Sequence, residues 1–380
     1  MTPRPVFRVI DTGIRPGQRH MAFDEALIEA RAANEVPDTI RFLRFRPTVL
    51  VGRHQVLRDE VKRDYCAANG IEVGRRITGG GAIYLDEGQL GWEFVFDRHA
   101  LGFGDLTETT RRLCEACCTG LQRLGVAAAY RPRNDIEVDG RKLGGTGGFF
   151  DGRLVSFQGT VLLDVDPVRM VSCLNVAADK LAKHGAASIA DRMVSLAMLG
   201  GGTAPPVGEV MTALLNGFAE TLGIDPVRGE ITEAEEARAA ELFDHEIGTA
   251  AFIEGEAPPA ASDAARGHSF TAYPGGRVRV DLRFEGAARD RIADCAITGD
   301  FFVTPARAIR DIEASLRRAP VAEIETIVMQ ALTARGVDFI GLTATQLIGS
   351  IRSAAESRFE PHRSHEMNLV EPSGIEPPTS

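Results

Sequence analysis

A chain of 380 residues is longer than one hydrophobic core usually serves, so two domains are expected. Its 44% apolar and 25% charged content is that of an ordinary globular protein, and a net charge of −10 argues against nonspecific nucleic-acid binding, which needs a basic surface. No run approaches the ~18 apolar residues that span a bilayer, and no apolar stretch follows Met1-Thr2-Pro3-Arg4, so a cytoplasmic protein with reduced cysteines and no membrane partner is expected.

In chain order, residues 21–33 have the apolar spacing of an opening helix, with Asp24 and Glu25 near its start. Short strands are expected at 41–45 and 48–52, then a helix over 61–69 that stops at Gly70. This part is rich in arginine. Arg41, Arg44, Arg46 and Arg53, with Arg75 and Arg76, either form a rim that steers an acidic acceptor or are solvated strand ends.

The segment Arg75-Arg76-Ile77-Thr78-Gly79-Gly80-Gly81-Ala82-Ile83-Tyr84-Leu85-Asp86 joins two guanidinium groups to a glycine triplet. Consecutive glycines let a backbone approach a ligand and aim several N–H groups at it, and arginine adds forked donors suited to phosphate or carboxylate. The alternative is a hairpin turn with two solvated arginines.

A helix is expected over 107–124, with Cys114, Cys117 and Cys118 on one face; small core residues are the simpler reading, a metal or redox cluster the other. Strands are expected between 136 and 165. Within them, Arg133-Asn134-Asp135 leads through the Asp139-Gly140 turn to Lys142, followed by the run Gly144-Gly145-Thr146-Gly147-Gly148. A lysine beside flexible glycines can act as a point charge on a transferring phosphoryl or acyl group, and Asn134 and Asp135 offer oxygens of the kind magnesium takes. Each has a local alternative: an Asx turn, and a solvated strand lysine.

A loop is expected over 199–206, a helix over 207–222 and an exposed acidic helix over 230–243, whose charge is most simply a solvated face. Residues 255–262 have linker composition. Beyond them, 278–284 alternates as a half-buried strand, 292–297 reads as another, and Phe301-Phe302-Val303 precedes a helix over 305–316. From residue 360 periodicity ends and a disordered tail is expected; His362 and His365 lack the companions of a metal site.

The series Val51-Gly52-Arg53-His54-Gln55, Arg75 to Asp86, Arg133-Asn134-Asp135 and Gly140-Arg141-Lys142 resembles the lipoate–protein ligase A group of the biotin/lipoate ligase superfamily, over roughly residues 5–225. Residues 267–335, with Ile297-Thr298-Gly299-Asp300-Phe301-Phe302, resemble the C-terminal accessory domain of lipoate ligases. The resemblance implies an α+β fold with mixed sheets flanked by helices, like class II synthetases and biotinyl–lipoyl ligases. It implies a catalytic domain over 1–225, an acidic helix and linker over 226–266, an accessory domain over 267–358 and the tail over 359–380. In that family the glycine loop holds an acyl-adenylate and the lysine contacts the reacting carboxyl–phosphate centre. Those roles fall on Arg76, Gly79, Gly80, Gly81 and Lys142. The neighbouring Arg53, Arg75, Thr78, Ala82, Tyr84, Asn134, Asp135, Gly145 and Thr146 complete the expected substrate and adenylate site, with Asp135 as a magnesium ligand.

The implied activity is ATP- and Mg2+-dependent activation of lipoate or octanoate, then acyl transfer to a lysine of a lipoyl carrier domain. The rival is an ATP-independent acyltransferase of the same fold, which needs a cysteine thioester. The place where one such group carries its cysteine reads Ala127-Ala128-Ala129-Tyr130-Arg131-Pro132, which leaves Cys173 as the thiol to watch. A biotin ligase fits these motifs less well. Leu85 and Gln89 stand where many family members have histidine and asparagine, which alone supports a degenerate, carrier-binding protein.

Overall fold

The computed structural model describes residues 3–175, 191–255 and 266–359 apart from 287 and 306. The expected linker past Gly255 and the expected tail past Phe359, including His362 and His365, therefore lie outside the described residues.

The first unit runs β1 (Val6–Arg15), α1 (Gly17–Ala32), β2 (Thr39–Phe45), β3 (Thr48–Val51), β4 (Glu72–Arg75), β5 (Ile83–Leu85), β6 (Gln89–Asp97), α2 (Leu106–Gln122), β7 (Ala129–Arg131), β8 (Asp135–Val138), β9 (Arg141–Asp151), β10 (Leu154–Leu162), α3 (Pro167–Ser172), α4 (Val207–Leu222), β11 (Asp225–Arg228), α5 (Glu233–Leu242) and α6 (Ala250–Glu254). Eight strands form one mixed sheet in the order β11-β1-β2-β6-β10-β9-β8-β7, and β4-β3-β5 form a small second sheet. The expected α+β class stands.

Central β6 shows why the sheet needs cover on both faces. Trp92, Phe94 and Phe96 point one way, into a core with Leu113 of α2 and Phe218 of α4; Val95 points the other way, toward Phe23 and Leu27 of α1. Helix α2 begins where Asp105 caps it, accepting from the Glu108 N–H at 2.7 Å. It meets α4 closely because Gly120 and Gly217 face each other: a Cβ on Gly217 would stand 2.3 Å from the Gly120 nitrogen. Cys114, Cys117 and Cys118 lie in this core, as the simpler reading has it.

The first unit runs past residue 225. β11 pairs in parallel with β1, and α5 packs on α1. The acidic helix is not merely a solvated face, because Glu235 is 2% exposed and bonded to Arg8, while Glu236 pairs with Arg15 at 2.6 Å. Its remaining carboxylates hid this from a charge count.

The second unit has its own core. Strands β12 (Arg266–Tyr273), β13 (Gly276–Glu285) and β14 (Arg291–Gly299) form an antiparallel sheet covered by α7 (Ala308–Leu316), α8 (Ile324–Arg335) and α9 (Ala344–Glu356); β15 (Phe302–Thr304) pairs with β16 (Asp338–Ile340). Among the described residues no helix is long and apolar enough to cross a membrane.

Candidate active site

The first glycine loop leaves β4 at Arg75 and returns as β5. Its shape is held from behind. Arg76 donates through Nη1 to the Leu50 carbonyl at 2.9 Å and through Nη2 to the carbonyls of Gly79 at 3.0 Å and Gly81 at 2.8 Å. Arg75 donates through Nη1 to the carbonyls of Gly52, Arg53 and Gln55, through Nε to Ile253 and through Nη2 to Glu254. Both arginines are nearly inaccessible, at 2% and 7% exposure. Burial, aided by Arg53 for Arg75 and by Arg75 for Arg76, lowers both guanidinium groups to about 10, which leaves them charged at neutral pH. The expectation that both point at an anion is therefore corrected in this structure: they turn the loop's carbonyls inward and tie α6 to its base.

Other expected residues also brace the loop. Thr78 is 5% exposed and its carbonyl accepts from the Arg53 N–H at 2.9 Å. Gly52 must be glycine, since a Cβ there would stand 1.9 Å from the Gly80 oxygen. The Arg53 guanidinium lies 4.7 Å from the Phe252 ring centre. Ala82 and Tyr84 pack into a satellite core with Val49, Val51 and Cys173, where Tyr84 is buried. Leu85 and Gln89 are buried too, Gln89 donating to the Tyr84 carbonyl at 3.1 Å, which gives both departures from the family pattern a packing role.

Of the arginines expected as a rim or as solvated strand ends, Arg41, Arg75 and Arg76 are buried, whereas Arg44 and Arg53 are half-buried and Arg46 is exposed. Arg41 is fully buried between Asp24, to which Nη2 is hydrogen-bonded, and Glu93, whose Oε2 lies 2.8 Å from Nε. Gln158 donates to Asp24 at 2.6 Å and to Glu93 at 3.0 Å. Neither a rim nor a solvated strand end describes Arg41, because two carboxylates make its burial tolerable. Register places Arg41, Glu93, Gln158 and Gly147 side by side across β2, β6, β10 and β9. This polar row leads to the second glycine loop.

That loop is part of β9. Asn134 clasps it: Nδ2 donates to the Thr146 carbonyl at 2.5 Å, and the Asn134 carbonyl accepts from Thr146 N–H at 2.8 Å and Oγ1 at 3.0 Å. Lys142 Nζ lies 2.8 Å from Asp135 Oδ1, with its side chain 42% exposed. Arg131 Nη2 sits 2.5 Å from the other oxygen, Oδ2. Burial works against the Asp135 charge, but Lys142 and Arg131 outweigh it and hold the carboxyl below its usual range. In this arrangement Lys142 and Arg131 cover both Asp135 oxygens, so Asp135 can ligate magnesium only where one of the two cations leaves it.

The second unit joins the two loops. The Phe301 carbonyl accepts from the Gly80 N–H at 3.1 Å, and the Phe302 ring lies where Cβ atoms of Gly80 or Gly147 would be, 2.5 Å from each. The Gly299 N–H donates to the His54 carbonyl at 2.9 Å, and the His54 and Phe301 rings stack 5.3 Å apart. Thr304 Oγ1 accepts from the Phe150 N–H at 2.7 Å. Arg277 and Arg279 face Glu60 at 3.5 Å and Asp59 at 3.3 Å. The sequence marks the Gly-Asp-Phe-Phe pattern only through its resemblance to the accessory domain of lipoate ligases. Its placing of an aromatic ring between two distant glycine runs leaves no periodic signal.

Thiols are poorly placed for catalysis. All six cysteines are buried. Cys173 donates to the Arg169 carbonyl at 2.9 Å, and burial together with Cys66 pushes its thiol up to about 12. Cys114, read in the sequence as a small core residue or as part of a metal or redox cluster, has Sγ 3.4 Å from Thr146 Oγ1; burial pushes it up to about 12 as well.

Residues 16–219 match the family described as the lipoyl protein ligase A/B catalytic domain. Lipoate-protein ligase A subunit 1 of Thermoplasma acidophilum is 32% identical over 247 residues, covering 62% of this chain and 91% of that protein. Octanoyltransferase LipM of Symbiobacterium thermophilum is 31% identical over 267 residues, covering 64% and 96%. A crystal structure of lipoate-protein ligase A bound with ATP superposes with a TM-score of 0.56 at 29% identity, covering 66% of this chain and 98% of that one.

Proposed function

The chain belongs to the lipoyl protein ligase A/B catalytic domain family, and from that membership we propose that it is an ATP-dependent lipoate–protein ligase. The observation that carries the choice is the burial of all six thiols beside a half-exposed lysine, which suits chemistry whose nucleophiles come from the substrates. Similarity to an ATP-bound ligase supports the nucleotide requirement.

In this reading the carboxylate oxygen of lipoate or octanoate attacks the α-phosphorus of ATP and pyrophosphate leaves. The amine of a lysine on a lipoyl carrier domain then attacks the acyl carbonyl and AMP leaves. Both steps concentrate negative charge, first on phosphate oxygens and then on the carbonyl oxygen. Lys142 supplies a mobile positive charge there, and the N–H groups of Gly79, Gly80 and Gly81 supply fixed donors. The carbonyls of Gly79 and Gly81 are tied back by Arg76, so the loop can offer its N–H edge to an anion. Phe302 and the Phe301 carbonyl stand against the same glycines and must yield that space to an acyl-adenylate.

The second reading is ATP-independent octanoyl transfer through a thioester. The similarity to LipM supports it, and the approach of Cys114 to Thr146 gives it a residue. Intact-mass analysis of a lipoyl domain incubated with the protein, lipoate and magnesium, with and without ATP, tests the choice. A mass gain that requires ATP is expected. Modification from an octanoyl-carrier donor without ATP would replace the ligase by the transferase.

A further inference from the structure

A line of four charges crosses the edge hairpins of β7, β8 and β9. Arg131 Nε faces Glu137 Oε2 at 3.3 Å and Arg131 Nη2 takes Asp135 Oδ2 at 2.5 Å, while Lys142 Nζ takes Oδ1 at 2.8 Å. The two cations approach one carboxylate through different oxygens, so one can leave while the other stays. Two backbone features allow this. The register of β8 and β9 shifts between Ile136 and Glu137, so Lys142 pairs with Glu137 in the ladder while its ammonium reaches Asp135. Gly145 leaves room for the reach, since a Cβ there would stand 2.9 Å from Nζ.

Exposure separates the carboxylate from its two cations, and the second carboxylate, Glu137, separates Arg131 from Lys142. The Asp135 side chain is 19% exposed, against 42% for Lys142 and 48% for Arg131. A largely buried carboxylate stripped of every cation is costly, whereas a half-exposed lysine moves freely between partners. We propose that Arg131 is a positioning residue for Lys142. By remaining on Asp135, Arg131 lets the ammonium swing from Oδ1 to the carboxyl–phosphate anion without leaving the carboxylate unpaired. Glu137 keeps Arg131 in place from the other side. The inference deepens the ligase reading and rests on it.

The test uses the full chain and follows adenylate formation as ATP–pyrophosphate exchange, and transfer from preformed lipoyl-AMP to a lipoyl domain. Arg131→Gln is expected to lower kcat about 10-fold while KM for lipoate and ATP moves less than about two-fold, and Arg131→Lys to stay near the wild-type rate. The double variant R131Q/D135N is expected to run at the rate of Asp135→Asn alone, because a neutral amide needs no counter-cation. A hairpin merely weakened by losing Arg131 would not be rescued this way. A wild-type kcat for Arg131→Gln, or losses that multiply in the double variant, overturns the proposal. A wild-type protein that makes no acyl-adenylate overturns the ligase reading and this inference with it, whereas normal wild-type turnover with an unaffected Arg131→Gln overturns this inference alone.

Discussion

Beside Gly79, Gly80 and Gly81 stand two arginines that are 2% and 7% exposed, whereas beside Gly145 stands a lysine whose side chain is 42% exposed. Arg75 and Arg76 spend their donors on main-chain carbonyls, five and three of them respectively. Lys142 has an ion pair that it can exchange. The planar guanidinium, with its fixed fork, suits the permanent task, and the compact ammonium on a flexible stem suits the transient one. A cation next to a glycine run thus has no single meaning. Its exposure and its acceptors decide whether it shapes the loop or serves the ligand.

The largest expected effect follows from the mobile partner. Lys142→Ala should lower acyl-adenylate formation and transfer by about 100- to 1,000-fold, with little change in unfolding midpoint, since it removes a half-exposed side chain. Quenched-flow rates beside a urea titration would check both halves. Arg76→Ala should show the reverse balance, costing about 2–4 kcal/mol of stability in the same titration, because the buried Leu50 carbonyl and the half-buried carbonyls of Gly79 and Gly81 lose a charged donor together. Equal stability losses for the two variants would erase the distinction drawn between the loops.

The second unit touches both loops, and two glycine substitutions separate how. Gly147→Ala places a methyl 2.5 Å from the Phe302 ring, so it should weaken docking by about 1–3 kcal/mol and split the calorimetric unfolding of the two units; adding Phe302→Ala should restore one transition. Gly80→Ala meets the same ring at 2.5 Å, but Gly80 also has φ +90°. Removing Phe302 should not rescue it, because the backbone strain remains. Rescue of both would show that the φ of Gly80 adds no cost beyond the clash, and rescue of neither would show that Phe302 is not the obstacle at Gly147.

Local features of this architecture were legible in the sequence. The helix Val207–Leu222 follows from its apolar spacing, and the glycine triplet, the Asp139-Gly140 turn and Lys142 were all marked by residue type. What escaped was long-range. Arg41 reads as a surface strand residue until Asp24 and Glu93, contributed by α1 and β6, close around it. Glu235 reads as one more carboxylate on an acidic helix until β1 brings Arg8 to it. The two arginines of the first loop read as ligands because residue type cannot say which way a side chain turns. Phe302 meets Gly80 and Gly147 across a domain boundary, where neither helical nor strand period applies.

The smallest expected effect concerns charge buried beside the first loop. Burial, reinforced by Glu29 and Glu246, pushes Glu25 up to about 7, with Arg53 opposing. Its carboxyl therefore holds a proton in the folded chain over a range where the unfolded chain, with the ordinary value near 4.5, has lost it. The native state binds more protons there, so the contribution is fully present below about pH 4.5 and is lost as pH rises through 7. A Glu25→Gln variant should lack this slope and be more stable than the parent at pH 8 by about 1–2 kcal/mol. Urea midpoints of the two proteins at pH 5 and pH 8 would show it as a difference that widens with pH. The second loop gives no matching expectation, because Asp135 is shifted downward, so its share of stability persists at neutral pH and is lost only in acid. Opposite pH responses of Glu25→Gln and Asp135→Asn would thus place protonatable stability on the first loop's side and ion-paired stability on the second's.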